Sequence, residues 1–238
     1  KPLVVDIKNP LAIYVISHIQ ADCQPDLRGI FWEYQLNHKS SNMISIEHLS
    51  DQQFTVNNVV FKGGEGFSSI ETDRKLCTKA RLVFESFLRD YPNSGWLLRA
   101  THDSYINVEN LIGIIKELEK KYDPFREYAL AYELFINRNI TFPHGSVILF
   151  SRKFVEDIVK DINMFSYLCS VYADDMAFGL WMKSHGIDLE EFRTQKFQIN
   201  WPSGCRNLQH FYFFRHAFIA APKCPKHWSM PGIEKRPP

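Results

Sequence analysis

Three polar residues, Thr101, His102 and Asp103, directly follow a short apolar run that begins at Trp96. The run is typical of a buried strand, and a helix is predicted to open at Asn107. In an open α/β sheet, ligands bind at the carboxyl ends of strands, so these polar side chains would project where a ligand could bind. A carboxylate there is well placed to hold a hard cation against a diphosphate.

A pair of adjacent carboxylates, Asp174 and Asp175, is the second place with the residue types for chemistry. Aspartates at the start of a helix complement the helix dipole and cap the helix without any chemical role. A carboxylate at the same position could instead take a proton from an attacking hydroxyl group. Both interpretations fit the residues alone.

The elements that must position these residues alternate between strands and helices. Periodicity and turn residues predict strands over 11–17, 43–49, 54–61, 96–100, 127–136, 147–152 and 192–201. They predict helices over 26–38, 70–91 and 107–121, a helix capped by Ser151, and a helix that ends near Gly186. Loops are expected over 62–66 and 137–141, and Glu119 is expected to face water. This order predicts one α/β domain over 1–221, followed by a Pro-rich extension over 222–238.

Size and charge exclude some classes of function. The chain has 238 residues, 45% of them hydrophobic, which is enough for a substantial core. Lys and Arg number 28 against 27 Asp and Glu, so the charge gives no footprint for nucleic acid or an anionic membrane. There is no apolar stretch of about 20 residues and no visible signal peptide. We therefore expect membrane attachment only through a segment absent from this chain.

The cysteines and one sequence triplet bear on the compartment. The five cysteines fit no metal-binding spacing, and one or two disulfides with a leftover thiol are expected. Asn139-Ile140-Thr141 is an N-glycosylation sequon, which has meaning only if the chain enters the secretory pathway.

The stretch from Gly95 to Leu111 resembles a segment of the Fringe-like and core-1-type β-1,3-glycosyltransferases of family 31. That segment reads roughly W-x-x-x-x-D-D-D-x-Y-x-x-x-x-N-L. The positions that keep this pattern are Trp96, Asp103, Tyr105, Asn110 and Leu111. Thr101 and His102 stand where the family has its first two aspartates.

Two later segments extend the resemblance in the family's order. Gly145, followed by an apolar strand that ends in Ser151 and Arg152, is similar to a Gly-rich approach to a strand in the family, although Ser146 replaces a common second glycine. The segment 172–179 resembles the element P-(D/E)-D-x-x-x-G, which opens a helix facing the acceptor. In the residue-by-residue alignment, Asp174, Asp175 and Gly179 match and Ala173 replaces the proline.

The resemblance implies a fold and an activity. The fold would be the nucleotide-sugar transferase (GT-A-like) α/β fold, with a mixed, mostly parallel sheet flanked by helices. The activity would be inverting, β-1,3-type transfer of a sugar from a UDP-sugar to a glycan or glycoprotein hydroxyl. The protein would be located in the lumen of the secretory pathway, in the Golgi, or would be secreted.

The resemblance also implies roles for single residues. Asp175 would be the catalytic base, with Asp174 beside it. Thr101, His102, Asp103 and Gly145 would line the cofactor and donor site. Mn²⁺ would be held by Asp103, with His102 or a late histidine within an aromatic segment as a further ligand. His210 and His216 both qualify for that last position, and each could equally be a packed residue.

The altered acidic motif leaves two alternatives open. One is a catalytically inactive relative that acts as a chaperone or a glycan-binding protein. The other is a transferase that works without metal and uses basic residues such as Arg99 or Arg215 at the diphosphate.

Overall fold

The computed structural model describes residues 5–16, 43–50, 53–56, 59–63, 73–101, 105–106, 108–137, 139–145, 147–194, 197–198 and 219–220. The predicted helix over 26–38 and the Pro-rich extension over 222–238 lie outside these residues. So do His102, Asp103, His210 and His216.

Twelve strands are assigned within the described residues. They are β1 (Leu11–Ile16), β2 (Ile44–Ser50), β3 (Phe54–Val56), β4 (Val59–Gly63), β5 (Trp96–Thr101), β6 (Tyr105–Ile106), β7 (Leu130–Ala131), β8 (Leu134–Asn137), β9 (Ile140–Pro143), β10 (Val147–Ser151), β11 (Phe197–Gln198) and β12 (Ile219–Ala220). The described helices are α1 (Asp73–Asp90), α2 (Val108–Glu119), α3 (Arg152–Lys160), α4 (Ile162–Val171) and α5 (Asp174–Ser184).

A seven-stranded sheet in the described part of the chain has the order β3-β4-β2-β1-β5-β10-β7. The pairs β4–β2, β2–β1 and β1–β5 are parallel, whereas β3–β4, β5–β10 and β10–β7 are antiparallel. The central strands β1, β5 and β10 are buried almost throughout, as expected for strands that are covered on both faces. Five of the seven strands, β4, β2, β1, β5 and β7, run in the same direction, so the predicted mixed, mostly parallel sheet is confirmed.

Helix α1 packs against α3, α4 and α5 and shows the predicted apolar stripe. Its buried residues include Ala80, Val83, Phe84 and Phe87. Aromatic rings fill the space between these helices and the sheet, in a cluster formed by Phe84, Phe150, Phe154, Phe165, Phe178 and Trp181. This cluster fixes the position of α5 over β5 and β10.

A disulfide between Cys77 and Cys169 joins α1 to α4. It confirms the expectation of at least one disulfide among the five cysteines. Within the described residues, no helix is long and apolar enough to cross a membrane.

Several local predictions were wrong. The single strand predicted over 54–61 is the hairpin β3–β4, whose two strands flank an Asn pair of the kind that favours turns. The strand predicted over 127–136 is split between β7 and β8, which belong to different sheets. The loop predicted over 137–141 is the tip of the hairpin β8–β9. The strand predicted over 192–201 is limited, within the described residues, to β11.

Two side-chain predictions also failed. The Ser151 hydroxyl does not cap α3, because it donates to the Glu127 carbonyl and accepts the Ala129 N–H. Glu119, expected to face water, is buried and accepts hydrogen bonds from the Trp96 indole N–H and the Asn9 backbone N–H. Both residues satisfy polar groups of segments far away in sequence, which helical periodicity does not detect.

Candidate functional site

The candidate site lies at one edge of the seven-stranded sheet. Strands β1 and β5 end side by side there, with Ile16 paired to Thr101. Because β10 is antiparallel to β5, its first residue, Val147, pairs with Ala100 at the same edge. Gly145 lies two residues before the start of β10. The carboxyl ends of parallel strands in an open α/β sheet are the usual location of ligand sites.

Arg99 anchors the first turn of α5 to strand β5. Its guanidinium donates through Nη2 to Asp174 Oδ2, and through Nη1 to the Gly145 carbonyl at 2.6 Å. The side chains of Arg99 and Asp174 are only 2% and 5% exposed. Two charges this deeply buried require each other, since an unpaired charge at such depth is strongly destabilising. The Arg99 side chain thus holds both the start of α5 and the segment at Gly145 that leads into β10.

Asp175, the next residue, lies against Gly145. A Cβ atom built on Gly145 would be 3.2 Å from the Asp175 Cβ and 3.4 Å from its Oδ2. A side chain at position 145 would therefore crowd this carboxyl group, which is one physical reason for glycine there. The Asp175 Oδ1 accepts the Met176 N–H at 2.7 Å.

Burial raises the pKa of Asp175 to about 6, and the neighbouring Asp174 carboxylate adds to the rise. The Met176 N–H and the Arg99 guanidinium act in the opposite direction and are outweighed. A carboxyl group with a pKa near 6 is ionised at neutral pH and is still a stronger base than an ordinary aspartate. That is the property required of a general base.

Gly179 lets α5 approach β9 closely enough to hold its first turn at the sheet edge. A Cβ atom at position 179 would lie 2.6 Å from the Phe142 Cβ and 2.7 Å from the Thr141 carbonyl oxygen. Real Cβ atoms do not make such short contacts, so no other residue fits without displacing the strand. This packing explains the glycine that follows the two aspartates by four positions.

Trp96 begins β5 and is fully buried. Its indole N–H donates to Glu119 Oε1 at 3.1 Å. Both Glu119 oxygens also accept backbone N–H groups of Lys8 and Asn9, which lie just before β1. Glu119 therefore ties the starts of β1 and β5 together and aligns the ends of these strands at the site.

The structure brings only some of the predicted site residues together. Arg99 links Asp174 to Gly145, and Asp175 lies against Gly145, so these residues form one cluster; Thr101 ends β5 at the same edge and is half-buried. The side chains of His102, Asp103, His210 and His216 are outside the described residues. Within the described part of the chain, no three His, Cys, Asp or Glu residues are grouped to hold a metal ion.

The role of Arg99 in this cluster was not predicted. The sequence suggested it as a ligand for a diphosphate, but its guanidinium is buried and bound to Asp174 and Gly145. A signal was present, because a charged residue within the apolar run of β5 requires a buried partner of opposite charge. The identity of that partner, 75 residues away, was not available from the sequence.

Comparison with known proteins agrees with the fold. A solved structure of a glycosyltransferase involved in the glycosylation of the major capsid of PBCV-1 matches with a TM-score of 0.52 and 10% sequence identity. The match covers 89% of this chain and 92% of that chain. No family model and no curated protein sequence matches this chain. The chain thus has a GT-A-like α/β fold shared with a glycosyltransferase.

Proposed function

We propose that this protein is an inverting glycosyltransferase that moves a sugar from a UDP-sugar to a hydroxyl group of a glycan or glycoprotein, with β-1,3-type linkage. The observation that carries the proposal is the position of Asp175. It is a half-buried carboxyl group with a pKa of about 6, and it lies at the edge of the sheet where open α/β folds usually bind ligands, in a fold that a glycosyltransferase shares.

The proposed chemistry is a single displacement. The acceptor oxygen attacks the anomeric carbon of the donor sugar, a new C–O bond forms, and the bond from that carbon to the diphosphate oxygen breaks. Asp175 takes the acceptor's hydroxyl proton as this happens, and UDP leaves with the bonding electron pair. Attack from the face opposite the departing UDP inverts the anomeric configuration.

Asp174 takes a different role in this proposal. Because its carboxylate is buried and bound to Arg99, it is a positioning residue that keeps Asp175 at the edge of the sheet. Its negative charge also keeps the pKa of Asp175 high. In this proposal, Asp174 anchors the start of α5 and Asp175 acts as the base.

A divalent cation fits the donor chemistry of the residues that the resemblance implies. Asp103 and His102, with His210 or His216, would offer carboxylate oxygen and imidazole nitrogen, which suit Mn²⁺. When bound, the cation would offset negative charge on the departing diphosphate. His210 and His216 both remain candidates for the late histidine.

The proposed location is the lumen of the secretory pathway, in the Golgi or beyond it. The disulfide between Cys77 and Cys169 supports this, because disulfides persist in oxidising compartments.

The first test is calorimetric titration of the purified chain with UDP, with and without Mn²⁺, followed by a panel of UDP-sugars with glycan acceptors. We expect manganese-dependent binding that Asp103→Ala removes, and transfer that Asp175→Asn strongly reduces while UDP binding remains. Asp188→Asn, at an exposed loop position, is the control and should change neither. Binding without turnover on every donor would instead indicate an inactive glycan-binding or chaperone relative, the alternative that the altered motif at Thr101 and His102 favours.

A further inference from the structure

The turn between β8 and β9 carries a chemical signal that the proposed transfer reaction does not use. Asn139-Ile140-Thr141 is the single N-x-S/T triplet in the 238-residue sequence. In the lumen of the secretory pathway, the side-chain amide of such an asparagine accepts an oligosaccharide. Because the triplet is unique, any N-linked glycan on this chain must be at Asn139.

The geometry at Asn139 suits a permanent attachment. Asn137 pairs with Ile140, so only residues 138 and 139 connect the two strands. Asn139 is exposed and has a φ of 62°, in the left-handed region that asparagine tolerates better than most residues. A glycan on its amide nitrogen would extend into solvent without displacing any packed element.

Thr141 is in a different environment from Asn139. It is half-buried in β9, pairs with Ile136, and places its carbonyl oxygen beside Gly179 of α5. Recognition of the threonine hydroxyl is therefore easiest before β9 docks on α5. The fold can close afterwards, because the modified residue itself remains at the surface.

The hairpin also separates Asn139 from the candidate active site. Asn139 immediately precedes the first residue of β9, whereas Gly145 lies two residues beyond Pro143, the last residue of that strand. Four residues of extended strand span roughly 13 Å. Asn139 is therefore separate from the cluster that Asp175 and Gly145 form at the sheet edge.

Two apolar side chains near the turn are exposed to solvent. Ile136 and Phe135, on the β8 strand of the same hairpin, are 66% and 37% exposed. A bulky, solvated oligosaccharide on the adjoining turn would shield these two side chains from other molecules.

We propose that Asn139 is an N-glycosylation site. The Asn139 Nδ2 would attack the anomeric carbon of a polyprenyl-diphosphate-linked oligosaccharide. A C–N bond forms, the C–O bond to the diphosphate breaks, the diphosphate leaves with the electron pair, and the amide loses one proton to a base of the transferring enzyme. The inference is independent of whether the chain is itself a transferase.

The test is expression of the full chain behind a cleavable signal peptide in cultured animal cells, with intact-mass measurement of protein from lysate and medium. We expect a mass increase that peptide-N-glycosidase removes, with conversion of Asn139 to aspartate in the corresponding peptide. Asn139→Gln and Thr141→Val should abolish the increase. Thr141→Ser, which keeps the hydroxyl, and Asn137→Gln, which changes the neighbouring strand residue, should retain it.

Folding is followed separately through the Cys77–Cys169 disulfide, which is detected in each variant by peptide mapping. A wild-type chain that enters the lumen, forms this disulfide and carries no glycan would overturn the proposal. A glycan that persists in Thr141→Val would also overturn it, because that variant keeps Asn139 but lacks the hydroxyl that the sequon requires.

Discussion

The guanidinium of Arg99 on β5 is hydrogen-bonded to the carboxylate of Asp174 at the start of α5, and both side chains are buried. We predict that Arg99→Met or Asp174→Asn lowers the free energy of unfolding by about 3–5 kcal/mol. The first variant leaves the Asp174 carboxylate buried without its partner, and the second leaves the Arg99 guanidinium buried without its partner. Urea unfolding measures this change. Arg81→Met is the matched control, since the Arg81–Glu85 pair is exposed and its loss should cost less than about 1 kcal/mol.

A double-mutant cycle separates the pair from its surroundings. In the double variant Arg99→Met with Asp174→Asn, neither charge remains buried, so the combined loss should be clearly smaller than the sum of the two single losses. Additive losses would mean that the two groups do not stabilise each other, and the anchoring role given to Asp174 would then be wrong.

Gly179 gives a second prediction about how α5 is held. Gly179→Ala would place a methyl group 2.6 Å from the Phe142 Cβ, so we expect destabilisation of about 1–3 kcal/mol and reduced transfer as α5 moves from β9. Thermal unfolding and activity are the measurements. Gly113→Ala, in the middle of α2 with nothing within 4 Å of the new atom, is the control and should stabilise by about 0.5–1 kcal/mol. Equal effects at the two glycines would contradict the close-packing argument.

The sequence predicted the parts of this structure that depend on local pattern. The strand at Trp96, the apolar stripe of α1 and the end of α5 before Gly186, which has a φ of 70°, all follow from periodicity and glycine chemistry. The burial of Glu119 and the partner of Arg99 were missed because each depends on contacts between distant segments. The sequence identified Asp174 and Asp175 as a pair, but only their different surroundings distinguish an anchor from a base.

The disulfide between Cys77 and Cys169 closes a loop with a sequence separation of 92. Constraint of the unfolded chain over that length predicts a stabilisation of about 3–5 kcal/mol. Cys77→Ser with Cys169→Ser should therefore unfold at markedly lower urea concentration than the wild type. Addition of a reductant should lower the wild-type midpoint toward that of the variant and leave the variant unchanged. If reductant shifts both proteins equally, this bond is not the stabilising element.

Asp175 as general base predicts the dependence of transfer on pH. Because the pKa of its carboxyl group is raised to about 6, kcat/KM should fall as the pH drops through that value and level off above it. Asp175→Asn should reduce kcat by roughly 10²–10⁴-fold and leave UDP binding unchanged. Initial rates measured from about pH 4.5 to about pH 8, a range that lies on both sides of this pKa, give the profile. A flat profile, or full activity in Asp175→Asn, would remove this residue from the chemistry.

The same pKa makes an independent prediction about stability. The folded-state pKa of Asp175, about 6, lies above the ordinary aspartate value of about 3.9, so the folded chain binds this proton more tightly than the unfolded chain. The contribution of Asp175 to the free energy of unfolding is therefore largest below pH ~4 and decreases as the pH rises to ~6.

Asp175→Asn cannot titrate, so the difference in unfolding free energy between wild type and variant isolates this contribution from those of all other carboxyl groups. Relative to the variant, the wild type should lose up to about 3 kcal/mol as the pH rises from about 4 to about 7. Urea unfolding of both proteins across that range measures the difference. A difference that stays constant with pH would show that the carboxyl group of Asp175 titrates normally, and the burial that is proposed to make it a stronger base would then have no effect.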